Sequence, residues 1–470
     1  MLPAAAATNG HSKHFKVIII GGGIAGLTLA HSLERAGISY TLLEKHHDFQ
    51  PRLGGVLVIA PSGARIIEQL GLYEAMSEAS EPIITPRTGF PDGRCSSQRW
   101  LPELERRYGY PVNVITRQKM LEVLYDGLRE SGNVLGGKRV TGIYHKESEV
   151  AVHTANGGIY KGDLVVGADG VNSIARLHML QEAGKSAMKE AASLASEYRV
   201  LIGMSKPISG IRAGEQIVRC YDGFAIFVFC GKDSEIGWFV VDKLDRRYQY
   251  PEKPAYSTAD NIRFCESIGD VEIWEDVRFS DIFNARTSFS AALVEENVFQ
   301  TWHHGRIACI GDSITKASPN TGLGASIAIE SAAALASRLH QLVQSSGQEE
   351  LSDAAVENSL CEFRKSHLQR CQIIGYASNE AIRLHTRATF MKRVAGPFVL
   401  TSERMALFFQ SMVADGGAKL DFLPLPPRGT AWGETKRALL RLRWIGIVVG
   451  PLMVLLLIQF ARVMQGWPLR

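Results

Sequence analysis

The run Gly21-Gly22-Gly23-Ile24-Ala25-Gly26 has the spacing G-x-G-x-x-G, and a carboxylate, Glu44, ends the next apolar run. Each residue type suits a dinucleotide: Gly21 for a tight turn, Gly23 for close approach of backbone to a pyrophosphate, Gly26 for packing of a helix on a strand. The pyrophosphate would rest on the helix N-terminus, where unpaired N–H groups favour an anion. Glu44 can accept hydrogen bonds from two ribose hydroxyls. On its own the glycine run is a plain tight turn; the strand, helix, strand and acid around it give it this chemistry. The pair His303-His304 reads as a turn, because adjacent strand residues point to opposite faces, and no metal site is expected.

The elements that must hold these residues are legible around them. Val17-Ile18-Ile19-Ile20 is a β-branched run suited to a strand buried on both faces of a parallel sheet. Ile24, Leu27, Ala30, His31, Leu33 and Glu34 fit an amphipathic helix that Gly37 ends, and 40–44 reads as the next strand. A second buried strand over 164–170 follows a hairpin in which 150–154 and 158–160 flank Asn156-Gly157. Between 198 and 289 the Gly-, Phe- and Val-rich segments 224–229 and 238–241 predict a separate antiparallel sheet. A third buried strand, 306–312, precedes an Ala-rich helix over 324–342.

The expected fold class is α/β: a Rossmann-type cofactor-binding domain with an inserted mixed or antiparallel β-sheet substrate domain, a C-terminal helical region and one transmembrane helix. The units expected are a flexible N-terminus over 1–14, a cofactor domain over 15–197 and 291–345, a substrate sheet over 198–290, helices over 346–435 and an anchor over 444–461. A length of 470 residues agrees with two or three units, and 46% hydrophobic with 21% charged residues is a globular composition. A net charge of only +4, with its basic residues dispersed, argues against nucleic acid as a partner. Seven scattered cysteines without a C-x-x-C pair suggest a reducing compartment. The N-terminal residues lack the apolar core of a secretory signal.

Downstream, Gly167-Ala168-Asp169-Gly170 with Arg176 resembles the D-G motif of single-component flavin monooxygenases, and Gly311-Asp312 with Pro319 and Gly322-Leu323-Gly324 resembles their G-D motif. The likeness narrows to the fungal FAD-dependent monooxygenases of meroterpenoid and indole-diterpene biosynthesis, which include prenyl epoxidases. It rests on 26–31, 71–73, 117–121, 299–303 and 423–429. The resemblance implies FAD as cofactor, with Gly21, Gly23, Gly26, Glu44, backbone near Val58, Arg117, Asp169, Asp312 and Ala325 as its contacts. Arg117 also makes sense chemically, since a guanidinium is a bidentate partner for phosphate. With only one nucleotide fingerprint present, NADPH would bind transiently as co-substrate.

The same resemblance places a catalytic Tyr at Tyr221, whose phenol could position a substrate group. Thr315, Leu323, Ser326 and Ser331 depart from the family pattern, which has His, Gln, Asn and Asp there. The implied activity is epoxidation of a prenyl double bond, with aromatic hydroxylation or a flavin-dependent reductase as alternatives. A degenerate flavin-binding accessory protein is the reading outside enzymology. The expected partners are a prenylated small molecule, membrane lipid and a membrane terpene cyclase that uses the product. The run 444–461 is uncharged over 18 residues and flanked by Arg443 and Arg462, so it predicts a single-pass C-terminal anchor in the endoplasmic reticulum with the globular part cytosolic.

Overall fold

The computed structural model describes residues 15–49, 55–146, 149–191, 193–250, 252–347 and 351–434. Strand β1 (Lys16–Ile20) runs directly into helix α1 (Ile24–Ala36), and the left-handed Gly37, with φ of 68°, returns the chain to β2 (Ser39–Leu43). Next come β3 (Val56–Ile59), β4 (Thr85–Gly89), β5 (Cys95–Ser97), helix α2 (Arg117–Asp126), β6 (Leu164–Gly167) and α3 (Ile174–Glu182). A run of long strands follows: β7 (Ala195–Ser205), β8 (Glu215–Cys220), β9 (Phe224–Cys230), β10 (Ile236–Gln249) and β11 (Arg286–Val298). The chain then returns through β12 (Ile307–Cys309) and β13 (Thr315–Lys316) to helices α4 (Gly324–Ser346) and α5 (Asp353–His385).

Two sheets organise the chain. In the first, β1 lies between β2 and β6, parallel to both, and β12 extends it in parallel beyond β6. Val17, Ile18 and Ile19 are fully buried, as a strand covered on both faces requires. Helices α1 and α4 share one core through Leu27, Ala30, Ala332 and Ala336. Small side chains there let the helix backbones approach closely.

The second sheet has eight strands in the order β13-β11-β7-β10-β9-β8-β4-β5. Its membership differs from the expected block over 198–290. Strands β4 and β5 come from far upstream, β8 pairs with β4 in parallel, and β7 begins at Ala195. One face packs Tyr198, Phe227 and Val241 toward α5, while the other packs Leu201, Val228 and Val240 against Cys265, Phe279 and Ile282. Both faces are therefore apolar. Gly237 lets β3 cross this sheet, since a Cβ there would lie 2.2 Å from Val56 Cγ1.

The expected transmembrane helix, and with it the single-pass membrane localisation, is corrected: among the described residues no helix is long and apolar enough to cross a membrane. The longest, α5, has 33 residues but carries Asp, Glu, Lys and Arg along its length. The run 444–461 lies outside the described residues.

Candidate functional site

The G-x-G-x-x-G turn forms one wall of a cavity of about 850 Å³, lined also by Glu44, Arg117, Lys138, Asp169 and Asn172. At Gly21 φ is 107°, and an added Cβ would lie 2.6 Å from the Ala168 carbonyl oxygen. At Gly26 a Cβ would fall 1.9 Å from the Gly21 oxygen. Gly23 is different: only an Arg117 nitrogen, at 3.9 Å, comes near, so this position opens toward the cavity. No side chain caps α1, which leaves the amides of its first turn available to a ligand. The Glu44 carboxylate accepts from Gly22 N at 2.6 Å and from His46 N at 3.0 Å. A carboxylate has about four acceptor sites, so capacity for ribose hydroxyls remains.

A second cavity, of about 430 Å³, meets the first at Arg117. Val58, Asp312, Gly322, Gly324 and Ala325 form one side, and Val200, Ile202, Phe229, Phe239, Leu293 and Val294 form the other. The Arg117 pKa is lowered by burial, and the carboxylates of Asp312 and Glu44 oppose that shift. Asp312 opens into the cavity, and the protein packed around it desolvates the carboxylate and raises its pKa against the pull of Lys316 and Arg117. A carboxylate held in so poorly solvated a position gains from any hydroxyl donor placed beside it. Leu323 precedes α4 without a capping side chain, so the first amides of that helix also lack a side-chain acceptor. A cationic guanidinium shared by the two cavities, two uncapped helix N-termini and an acceptor carboxylate fit a flavin dinucleotide, whose pyrophosphate would lie at α1 and whose ring would enter the smaller cavity.

Asp169 binds within the protein. Its Oδ2 accepts from Ile174 N at 2.7 Å, capping α3, and its Oδ1 accepts from the hydroxyls of Ser173 and Ser313. Ser313 Oγ in turn accepts from Gly170 N at 3.0 Å, and Arg176 donates to the Ser313 and Val171 carbonyls at 2.8 Å. The D-G and G-D segments are thus tied together, and Asp169 still borders the larger cavity.

Two of the four departures hydrogen-bond to backbone amides. Ser331 Oγ accepts from Gly311 N at 3.0 Å, and Ser326 Oγ accepts from Ala60 N at 3.1 Å. Leu323 and Thr315 are buried, at 2% and 4% exposure. None of these changes dismantles the turn that carries Asp312.

Tyr221 lies apart from the other expected residues. It occupies the turn between β8 and β9, its ring stacked on Phe224 with centroids 5.0 Å apart, and it is not among the residues lining either cavity. The next residue, Asp222, pairs with Arg387 at 2.7 Å, so this turn secures the end of α5. The sequence did not reveal the apolar wall on β7, β9, β10 and β11, nor a buried ion pair between Glu295 and Lys316 at its edge. The spacing between those two charges carries no recognisable motif.

Asp312→Ala should weaken flavin binding about ten- to a hundredfold, the range expected if this carboxylate accepts one charge-assisted hydrogen bond of about 1.5–3 kcal/mol from a flavin hydroxyl. The apo-protein should melt no lower than wild type, because a desolvated carboxylate has been relieved. Flavin titration and thermal melting of both proteins check this; unchanged affinity would remove Asp312 from the site.

The FAD binding domain family matches residues 14–363. The chain is 38% identical over 427 residues to the FAD-dependent monooxygenase nvfK of Aspergillus novofumigatus, covering 89% of this chain and 91% of that one. It is equally 38% identical over 428 residues to the FAD-dependent monooxygenase paxM of Penicillium paxilli, covering 89% of each. Among solved structures, HpxO of Klebsiella pneumoniae complexed with FAD and uric acid superposes with a TM-score of 0.71 at 19% identity, over 86% of this chain and 98% of that one. CtdE in complex with FAD and its substrate gives 0.65 at 19% identity, over 79% and 90%. At such identities the likeness to these structures is one of fold.

Proposed function

Because the chain belongs to the fungal FAD-dependent monooxygenases, we propose that it epoxidises a double bond of a prenylated small molecule in secondary metabolism, with NADPH as electron donor. In balance, the alkene, O2, NADPH and a proton give the epoxide, NADP+ and water. Bound FAD supplies the redox chemistry, accepting two electrons from NADPH and passing them to O2.

The observation that carries the reading is the wall opposite Asp312 and α4. Val200, Ile202, Phe229, Phe239, Leu293 and Val294 offer an alkene a surface without hydrogen-bonding groups. Such a wall excludes water from the reacting carbons and orients a hydrocarbon chain by shape. A phenolic substrate bound for ring hydroxylation would need a free polar partner on that surface; the charged groups at its edge, Glu295 and Lys316, are paired with each other. On the other side, Arg117 and Asp312 would hold the cofactor's phosphate and polyol, and the α4 N-terminus would lie toward the ring. The terpenoid character of the substrate and a cyclase that uses its product belong to the same proposal. So does membrane lipid as the milieu of that substrate.

The test is to incubate the FAD-loaded protein with NADPH, 18O2 and prenylated phenols and indoles, and to analyse products by mass spectrometry. One labelled oxygen on the prenyl chain is the expected result. A label on the aromatic ring would transfer the assignment to hydroxylation, and a reduced, unlabelled product would make the protein a reductase.

A further inference from the structure

Lys316 and Glu295 both border the smaller cavity, with side chains 4% and 12% exposed, and the ammonium of one is hydrogen-bonded to Oε2 of the other. They come from two adjoining strands. Lys316 lies on β13, immediately after the segment that carries Asp312, and Glu295 lies on β11, which pairs antiparallel with β13 through Asn297 and Lys316. Burial lowers the Lys316 pKa, Glu295 and Asp312 raise it, and Arg176 repels it. As packing, the arrangement is a poor choice, because two buried charges lose more hydration than their attraction returns, and apolar residues would fill the space as well.

We propose that this pair sets the reduction potential of the bound flavin. Reduction by two electrons with uptake of one proton leaves a negative charge on the ring, and Lys316 stabilises it. Glu295 fixes the ammonium in place and offsets its field, so the site stays close to neutral and the reduced ring is not over-stabilised. The inference rests on the reading that the flavin ring occupies this cavity. Both side chains line this cavity and are almost out of water, so their charges would act on a ring held there at close range and with little screening. Lys316 and Glu295 act through the ring's electronics and are positioning residues rather than catalytic ones.

The pair predicts shifts of opposite sign, which mere loosening of the fold would not produce. Holoenzyme variants are equilibrated with redox dyes under slow enzymatic reduction by xanthine and xanthine oxidase at pH 8, and midpoint potentials are read from the spectra. In Lys316→Met the ratio of reduced to oxidised flavin should fall about tenfold at fixed potential, a shift of about 30 mV for a two-electron couple. In Glu295→Gln it should rise by a similar factor. The double variant should return to within about threefold of wild type, and Lys316→Arg should keep the wild-type value. Potentials unchanged in both single variants, or moved in the same direction, would overturn the proposal. Should Lys316→Met not retain flavin, Glu295→Gln decides alone: a rise supports the proposal, and a fall or no change refutes it. Failure of the wild-type protein to bind FAD would instead refute the cofactor reading.

Discussion

Gly26→Ala is expected to yield a protein without flavin and with a lowered melting temperature, whereas Gly23→Val should lose flavin and keep the melting temperature of the apo-protein. The difference lies in what each new side chain meets. A Cβ on Gly26 falls 1.9 Å from the Gly21 oxygen, a contact with backbone that no rotamer relieves. Helix α1 must therefore move off β1, and overpacking of this kind costs about 1–3 kcal/mol or more. The movement also carries the α1 N-terminus away from the pyrophosphate. At Gly23 the nearest atom is an Arg117 nitrogen at 3.9 Å, the tip of a flexible side chain, so the apo-fold can accept a branched residue. The cofactor cannot, because the added methyls occupy the approach to its phosphates. Absorbance at 450 nm relative to 280 nm, read beside melting curves of the apo-proteins, distinguishes the two. If Gly26→Ala bound FAD normally, the helix and strand could not be packed as closely as the geometry requires.

That contrast shows which features could be read from the sequence. The turn at Gly21 to Gly26, the strands on either side and Glu44 are local: each is specified by residues adjacent in the chain, and each lies where expected. Arg117 and Asp312 needed a resemblance to be singled out, since nothing nearby in sequence indicates that one guanidinium borders both cavities. The Phe- and Val-rich segments predict an antiparallel sheet but carry no sign of its edge strands. Strands β4 and β5 are short, and they join through a parallel pairing of Thr85 with Glu215 that no local pattern encodes. Nor can the apolar wall of the smaller cavity be located by alternation, because β9 reads Phe-Ala-Ile-Phe-Val-Phe-Cys and is apolar on both faces. Glu295 and Lys316 look like ordinary surface charges until the sheet closes over them. Tyr221 has a residue type that suits the chemistry, but it stacks on Phe224 in the turn between β8 and β9 and lines neither cavity.

Arg370→Met should be the most damaging single change outside the cofactor turn. Glu330, on α4, is fully buried, and Arg370, on α5, grips both its oxygens, with a third donation to the Val413 carbonyl at 2.7 Å. Arg65 holds the adjoining segment through the Gly417 and Ala418 carbonyls, its guanidinium 3.9 Å above the Trp432 ring. Removing Arg370 strands a buried carboxylate, a loss of about 3–5 kcal/mol. The pH dependence should then invert. In the native protein burial raises the Glu330 pKa, but Arg370 and the neighbouring His367 prevail and hold it below its ordinary value. Its contribution to stability is therefore present above the unfolded carboxylate pKa of about 4.3 and is lost as pH falls through the lower folded value. Without Arg370 desolvation dominates, the folded pKa lies above the unfolded one, and protonation relieves the penalty. The variant should gain stability as pH falls from neutrality toward about 4.3, while wild type does not. Adding Glu330→Gln should restore much of the loss and abolish the inverted slope. Because Glu330 stands on the same helix whose first residues, Gly324 and Ala325, border the smaller cavity, the single variant should also release flavin more readily at neutral pH than at pH 5. Melting temperatures and flavin release from pH 4.5 to 8 test both; parallel curves for wild type and Arg370→Met would mean that Glu330 is not the group left unpaired.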